Sequence, residues 1–125
     1  MNQSKYHINH QFADPNSPEN NLKSAATIIL IRDVSSVAEV FMIKRATKSN
    51  FGGAWVFPGG TVDNEDSKNN ILDYCQGLDD KEASSILSLN KGGLCYWVAC
   101  VRECFEECGV LLAYRENGRL FKPTL

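Results

Sequence analysis

The sequence predicts one α/β domain, and three observations support this fold class. Continuous apolar and β-branched runs at 25–32, 39–44 and 54–57 are typical of strands buried in a sheet. The segment 94–108 separates its polar and apolar side chains onto opposite sides of a helical wheel. A chain of 125 residues that is 43% hydrophobic and 22% charged has the composition of a single globular domain with a packed core.

The N-terminal residues differ in composition from the rest of the chain. Residues 1–22 are rich in Asn, Ser and Pro and have no sustained periodicity, so we predict a flexible arm there, followed by a domain at 23–125. His7 and His10 lie three positions apart in this arm, where solvated histidines are more common than metal ligands.

The predicted strands are separated by short turns and loops. The two longer runs flank residues 33–36, which indicates a hairpin or two neighbouring strands. A loop at 47–53 leads into the third run, which ends at Pro58 and the glycine turn Gly59-Gly60.

The second half of the chain begins with a segment that favours helix. Within residues 67–93, helical pieces are predicted at 71–76 and 81–89, and Asp79 or Asp80 caps the second of them. This segment could pack across one face of the sheet, or it could act as a lid beside a substrate.

Beyond the helix at 94–108, which ends at Gly109, a last strand pair is predicted. It comprises 110–114 and 119–122, and the turn between them contains Asn117-Gly118.

The polar side of the helix at 94–108 is acidic. Arg102, Glu103, Glu106 and Glu107 share one stripe. Carboxylates three and four positions apart on a helix have Cβ atoms about 5–6 Å apart, so they repel one another unless a cation lies between them. Carboxylate oxygens favour Mg²⁺ or Mn²⁺ as that cation. The alternative interpretation is a solvated helix face without a ligand.

The same residues match one half of a known motif. Residues 102–110 read Arg-Glu-Cys-Phe-Glu-Glu-Cys-Gly-Val and resemble the pattern R-E-U-x-E-E-x-G-U of Nudix hydrolases, in which U is apolar. Gly59-Gly60 and Asp66 resemble the other half, with aspartate where the family usually has glutamate. Residues 67–101 separate the two halves, where the usual motif has seven residues. Such a split motif is similar to that of the animal acyl-coenzyme A diphosphatases.

This resemblance implies a fold and an activity. The fold would be an α/β/α sandwich with a mixed sheet and a helical insertion inside the motif. The activity would be divalent-metal-dependent hydrolysis of a diphosphate bond in a nucleoside diphosphate derivative, with coenzyme A or acyl-coenzyme A as candidate substrates. Because 111–125 is short for the remaining strands and helix of that fold, we expect the domain to be incomplete at its C-terminus. A chain of this kind would be marginally stable, prone to association and poorly active.

The resemblance also implies roles for individual residues. Glu106 and Glu107 would be the main metal ligands, Glu103 a further ligand or the general base, and the Gly59 carbonyl a ligand from the turn. Arg102 would orient the glutamates. The implied substrate-binding residues are Gly60, Arg45 and Trp55. Arg45 could bind a phosphate or be a surface arginine at the end of a strand, and Trp55 could stack on a base or belong to the core.

Several partners are excluded or left open by composition. A net charge of −2 without a basic patch disfavours nucleic acid, and no apolar run reaches the roughly 18 residues of a membrane span. The N-terminus lacks the pattern of a signal peptide, so a cytoplasmic protein is predicted. The family resemblance implies a small nucleotide-derived substrate as its partner. A homodimer is left open.

The five cysteines favour a reducing compartment. Cys100, Cys104 and Cys108 repeat every four residues on the apolar side of the predicted helix, where free thiols behave as small hydrophobic groups. Two alternatives to an enzyme remain: a non-catalytic nucleotide-binding module of the same fold, and a cysteine-based metal or redox protein.

Overall fold

A computed structural model describes residues 23–47 and 52–122 of this chain and contains both strands and helices, as an α/β domain requires. The arm at 1–22, its two histidines and residues 48–51 of the predicted loop lie outside the described residues. The strands are β1 Ala25–Thr27, β2 Ile31–Val34, β3 Val37–Val40, β4 Ile43–Lys44, β5 Trp55–Val56 and β6 Gly59–Thr61. The helices are a 3₁₀ turn Asn64–Ser67, α1 Asn69–Leu72, α2 Asp80–Ile86 and α3 Leu94–Cys108.

The strands of the described residues form three separate antiparallel pairs. β1 pairs with β6, β2 with β3, and β4 with β5. The mixed sheet and the sandwich implied by the family resemblance therefore stay predictions, while the α/β class is observed.

The two long apolar runs are each divided between two pairs. The first run leaves β1 after Thr27 and enters β2 at Ile31, and the hairpin predicted around residues 33–36 is confirmed. Its turn residues Ser35 and Ser36 have φ of 50° and 69°, the left-handed backbone that two-residue hairpin turns require. The first run contributes to β1 and β2, and the second run contributes to β3 and β4. Each run therefore pairs with two different strands.

The prediction of a turn at Gly59-Gly60 is wrong, because both residues belong to strand β6. A Cβ on Gly59 would lie 2.4 Å from the carbonyl oxygen of Ala26 and 2.7 Å from the Cα of Thr27. The missing side chain therefore lets β1 approach closely enough to pair. The preceding run, predicted at 54–57, forms only the two-residue strand β5.

Helix α3 has the predicted boundaries, and Gly109 ends it with a φ of 71°. The two aspartates proposed as caps serve different helices. Asp79 caps α2 by accepting a hydrogen bond from the amide of Glu82 at 2.7 Å. Asp80 accepts from the amides of Gly92 and Leu94, both at 3.0 Å, and so joins α2 to the start of α3.

Three predicted elements of the second half are shorter or displaced. The helix expected at 81–89 is α2, which ends at Ile86. The helical piece expected at 71–76 is the single turn α1, which begins two residues earlier at Asn69. The strand pair expected at 110–114 and 119–122 is a turn with one bridge, between Tyr114 and Leu120. The polar sequence between these two residues favours the turn, and the described residues provide no third strand that would extend the ladder.

The buried apolar side chains of the described residues come from α2, α3 and the residue before β6. They are Ala83, Leu94, Ala99, Cys104 and Pro58. By contrast, the β2–β3 hairpin exposes Ile31, Val37 and Val40 to solvent. Within residues 23–47 and 52–122, no helix combines the length and hydrophobicity that crossing a membrane requires.

Candidate active site

The candidate site lies where α3 meets the free edge of β6. Hydrogen bonds from Ile28 to Pro58 and from Val62 to Ser24 show that alternate residues of β6 face β1. Gly59 and Thr61 lie between them, so their backbone groups point away from β1. The amide of Gly59 donates to Glu107 Oε2 at 3.1 Å, and the Thr61 carbonyl accepts from Arg102 Nη2 at 2.8 Å.

Arg102 is the centre of the site. Its Nε and Nη2 donate to the two carboxylate oxygens of Asp66 at 2.8 and 2.9 Å, in a bidentate pair. Its Nη1 donates to Glu103 at 2.8 Å and to Glu106 at 3.3 Å. Together with the bond to Thr61, these contacts use all five N–H donors of the guanidinium. Arg102 is therefore held in one position and in turn orients two glutamates.

Asp66 is the residue whose role could not be derived from the sequence. It lies in the 3₁₀ turn after β6 and is only 2% exposed. Hydrogen bonding to Arg102, opposed by burial, holds the pKa of Asp66 below its usual value. The same contact raises the pKa of Arg102 above its usual value. Both groups stay charged at neutral pH. In the sequence, the spacing of Asp66 from Gly60 was the signal that could have identified Asp66 as the partner of Arg102.

Glu103 packs directly on the backbone of β6. A Cβ on Gly60 would lie 2.4 Å from the carboxyl carbon of Glu103. The Glu103 side chain is largely buried, with its carboxylate held between Gly60 and Arg102. The observed contact of Gly60 is thus to Glu103, and its implied role in binding substrate stays a prediction.

Glu106 and Glu107 present the exposed carboxylates of the site. The Glu106 side chain is 56% exposed, and Glu107 is also exposed. Four carboxylates lie within 4 Å of the Arg102 guanidinium and Glu107 adds a fifth to the site, which leaves an excess of negative charge; the four are Asp63, Asp66, Glu103 and Glu106.

These donors fit a hard divalent cation in chemistry and charge, since all are oxygens. The Gly59 carbonyl also suits this role, because it points to the same side of β6 as the amide that Glu107 contacts. Among residues 23–47 and 52–122, however, no three acidic, histidine or cysteine side chains are already gathered around one metal position. Glu103 and Glu106 instead contact Arg102.

The implied substrate-binding residues Arg45 and Trp55 lie on the β4–β5 pair. The amide of Arg45 donates to the Ala54 carbonyl at 2.9 Å. Trp55 is 62% exposed, so it does not belong to the core of the described residues. An exposed indole two residues before Phe57-Pro58-Gly59 is accessible to a ligand, and both substrate roles stay predictions.

The cysteines are free thiols. Cys104 is buried, and Cys75, Cys95, Cys100 and Cys108 are partly exposed. Burial raises the pKa of Cys104 to about 11, so this thiol is protonated at neutral pH and is a weak nucleophile. Its burial on α3 agrees with a packing role.

Acid should weaken the domain through Asp66. Because its folded pKa lies below the usual 3.8, its contribution to stability is present above about pH 4 and is lost as pH falls through the folded pKa. Urea unfolding between pH 3 and 7 should therefore show a steep loss below pH 4. Asp66→Asn should have a lower free energy of unfolding at pH 7 and a weaker dependence of that free energy on pH below pH 4. Asp33→Asn, in the exposed hairpin, should show the same pH dependence as the unsubstituted protein. Parallel curves for Asp66→Asn and the unchanged chain would contradict this assignment.

A methyl group at position 60 should displace the Glu103 carboxylate while changing the stability of the fold only slightly. In Gly60→Ala the new Cβ meets the flexible end of the Glu103 side chain, which can move aside. We expect a change in unfolding free energy below about 1 kcal/mol. A misplacement of about 1 Å at a reacting group can cost about 100-fold in rate, so the loss of any hydrolytic activity should far exceed the loss of stability. An unchanged rate would show that the position of Glu103 does not matter.

Comparison with known proteins links the chain to one curated relative. It is 33% identical over 100 residues to the acyl-coenzyme A diphosphatase NUDT19 of Xenopus laevis. The aligned region covers 63% of this chain and 26% of that protein, so the chain spans about a quarter of the relative's length. No protein-family model matches the chain, and no solved structure matches it.

Proposed function

We propose that this chain is a Nudix-type hydrolase domain that cleaves a diphosphate bond in a nucleoside diphosphate derivative. One observation carries the proposal: the two separated halves of the motif lie together in the fold. Gly59, Gly60 and Asp66 come from the first half, and all of them contact acidic or basic side chains of α3 across the insertion. The similarity to the diphosphatase of Xenopus laevis supports the same assignment.

The proposed cofactor is Mg²⁺ or Mn²⁺. Glu106 and Glu107 would be its main ligands because their carboxylates are the exposed ones, and Glu103 and the Gly59 carbonyl would complete the protein ligands. When bound, such a cation neutralises phosphate charge and lowers the pKa of water.

The residues of the chain have distinct tasks in this proposal. Arg102 holds Glu103 and Glu106 in place through its Nη1, and Asp66 holds Arg102. Glu103 is the candidate proton acceptor, since its carboxylate is fixed against Gly60 and a general base must be positioned within reach of its proton.

The proposed substrate class is coenzyme A or its acyl thioesters. The name of the relative supports it, and the insertion places 71–76 beside α3, where it can contact a substrate. Arg45 would bind a phosphate of that substrate, and Trp55 would stack on its base.

A product screen tests the activity. The 125-residue chain would be incubated with coenzyme A, acyl-coenzyme A, ADP-ribose, NADH and dinucleoside polyphosphates, with Mg²⁺ or Mn²⁺. We expect cleavage of at least one diphosphate, and excess EDTA should abolish it. Turnover that EDTA leaves unchanged would contradict the metal requirement, and the absence of any turnover would contradict the enzyme assignment.

A second candidate is a non-catalytic nucleotide-binding module. The contact of Glu103 and Glu106 with Arg102 favours it, because both carboxylates already have a cationic partner within the chain. In that case equilibrium dialysis would detect binding of the same nucleotides, while the screen would detect no product.

A further inference from the structure

An apolar cavity lies on the side of α3 next to its acidic stripe. Its volume is about 460 Å³, within the range of about 300–1,000 Å³ that is typical of small-molecule sites. The insertion, α3 and the segment after Gly109 line it, and it is open to solvent on one side. Its main lining residues are Ile71, Tyr74, Trp97, Val101, Phe105 and Leu112.

This cavity adjoins the candidate active site through Arg102. The apolar part of α3 that lines it includes Val98, Val101 and Phe105, which lie on one helix face because they are three and four residues apart. Arg102 also lines the cavity, and its guanidinium contacts Glu106, the neighbour of Phe105. One end of the cavity therefore lies beside the acidic carboxylates.

The lining favours a hydrocarbon ligand over a charged one. All five N–H donors of Arg102 are bound to Asp66, Glu103, Glu106 and Thr61, so none is left for a carboxylate of the ligand. Within the described residues, no buried side-chain nitrogen or oxygen lacks a hydrogen-bond partner. The cavity thus presents apolar surface and has no unpaired buried polar side chain that would bind a polar group of a ligand. Tyr74, 86% exposed, lies at its open side, where a ligand can enter.

We propose that this cavity binds the acyl chain of an acyl-coenzyme A substrate, while the diphosphate lies at the acidic end of α3. This inference rests on the proposed function, and it assigns the insertion to substrate selection. An acyl thioester has no charge next to its chain, so it suits the lining better than the free fatty acid does. Each methylene buried there should tighten binding by up to about fourfold.

Trp97 gives a direct readout that does not depend on turnover. The chain has two tryptophans, and Trp97 lines the cavity whereas Trp55 lies on β5 outside its lining. The full chain would be titrated with bromodecanoyl-coenzyme A, whose bromine quenches indole fluorescence on contact. We expect strong quenching beyond that caused by decanoyl-coenzyme A, whose base alone would reach Trp55, and at least tenfold weaker binding of free bromodecanoate. Trp97→Phe should abolish this bromine-dependent quenching, and bromine-dependent quenching that survives the change would overturn the proposal.

A substitution in the insertion tests selection. Ile71→Arg places a charge in the cavity, so it should weaken quenching at least tenfold and lower the ratio of kcat/KM for decanoyl-coenzyme A over coenzyme A. Ile86→Arg, at an exposed isoleucine on α2 outside the cavity, is the matched control and should leave both quantities unchanged. Equal effects of the two variants would overturn the proposal.

The outcomes separate this inference from the proposed function. Quenching through Trp97 without hydrolysis of any substrate would support the acyl site and contradict the enzyme. Hydrolysis of coenzyme A and decanoyl-coenzyme A at equal rates, without quenching, would support the enzyme and overturn the acyl site.

Discussion

Replacing Arg102 with alanine should lower the free energy of unfolding by about 3–5 kcal/mol, because the charge of buried Asp66 would lose its bidentate partner. Urea unfolding followed by circular dichroism measures this loss. If the variant does not fold, the double variant Arg102→Ala/Asp66→Asn should recover part of the stability, because it removes the buried charge as well.

The exposed pair of Arg32 and Glu39 provides the matched control. These side chains form an ion pair of 2.6 Å on the β2–β3 hairpin, but both are largely exposed to solvent. Arg32→Ala should therefore cost no more than about 1 kcal/mol. Similar losses for Arg32→Ala and Arg102→Ala would show that Asp66 is not the buried anchor proposed for this site.

Replacing Glu106 with glutamine should reduce metal-dependent turnover by about 100-fold or more. The substitution keeps the shape of the side chain and removes one negative charge from the proposed metal ligands, while the loss of its 3.3 Å contact with Arg102 is a minor change in stability. Steady-state kinetics with the substrate found in the screen, together with titration of Mn²⁺ by calorimetry, would measure both effects.

Glu116→Gln is the control for this change. Glu116 lies in the exposed turn after Arg115, outside the acidic site. Its replacement by glutamine makes the same change in formal charge as Glu106→Gln. It should leave turnover and metal affinity unchanged. Full activity of Glu106→Gln would contradict the proposed role of this carboxylate in the mechanism.

Elements whose signals are local were predictable from sequence. Helix α3 has its predicted boundaries because an uninterrupted helical periodicity ends at Gly109, which adopts the left-handed conformation. A cap at Asp79 or Asp80 for α2 and a connection at 33–36 between two strands were also predictable, because helix ends and turns depend largely on neighbouring residues. For the same reason the acidic stripe of α3 was recognisable before the fold was known.

Contacts between distant residues were decided by the tertiary structure. Asp79 and Asp80 are equally suited to cap a helix, and only the approach of α3 to α2 directs Asp80 to the amide of Leu94. Gly59 and Gly60 form a strand instead of a turn because β1 and Glu103 occupy the space where their side chains would be.

The sequence by itself determined α3, its acidic stripe and the residue types of the candidate site, because helical periodicity and motif spacing depend on near neighbours. The tertiary structure decided that Asp66 binds Arg102 and that the insertion lines an apolar cavity beside it. Both contacts require residues 67–93 to pack against α3. Local sequence preferences do not determine this packing, because it depends on the burial of apolar area and the pairing of charges between distant residues.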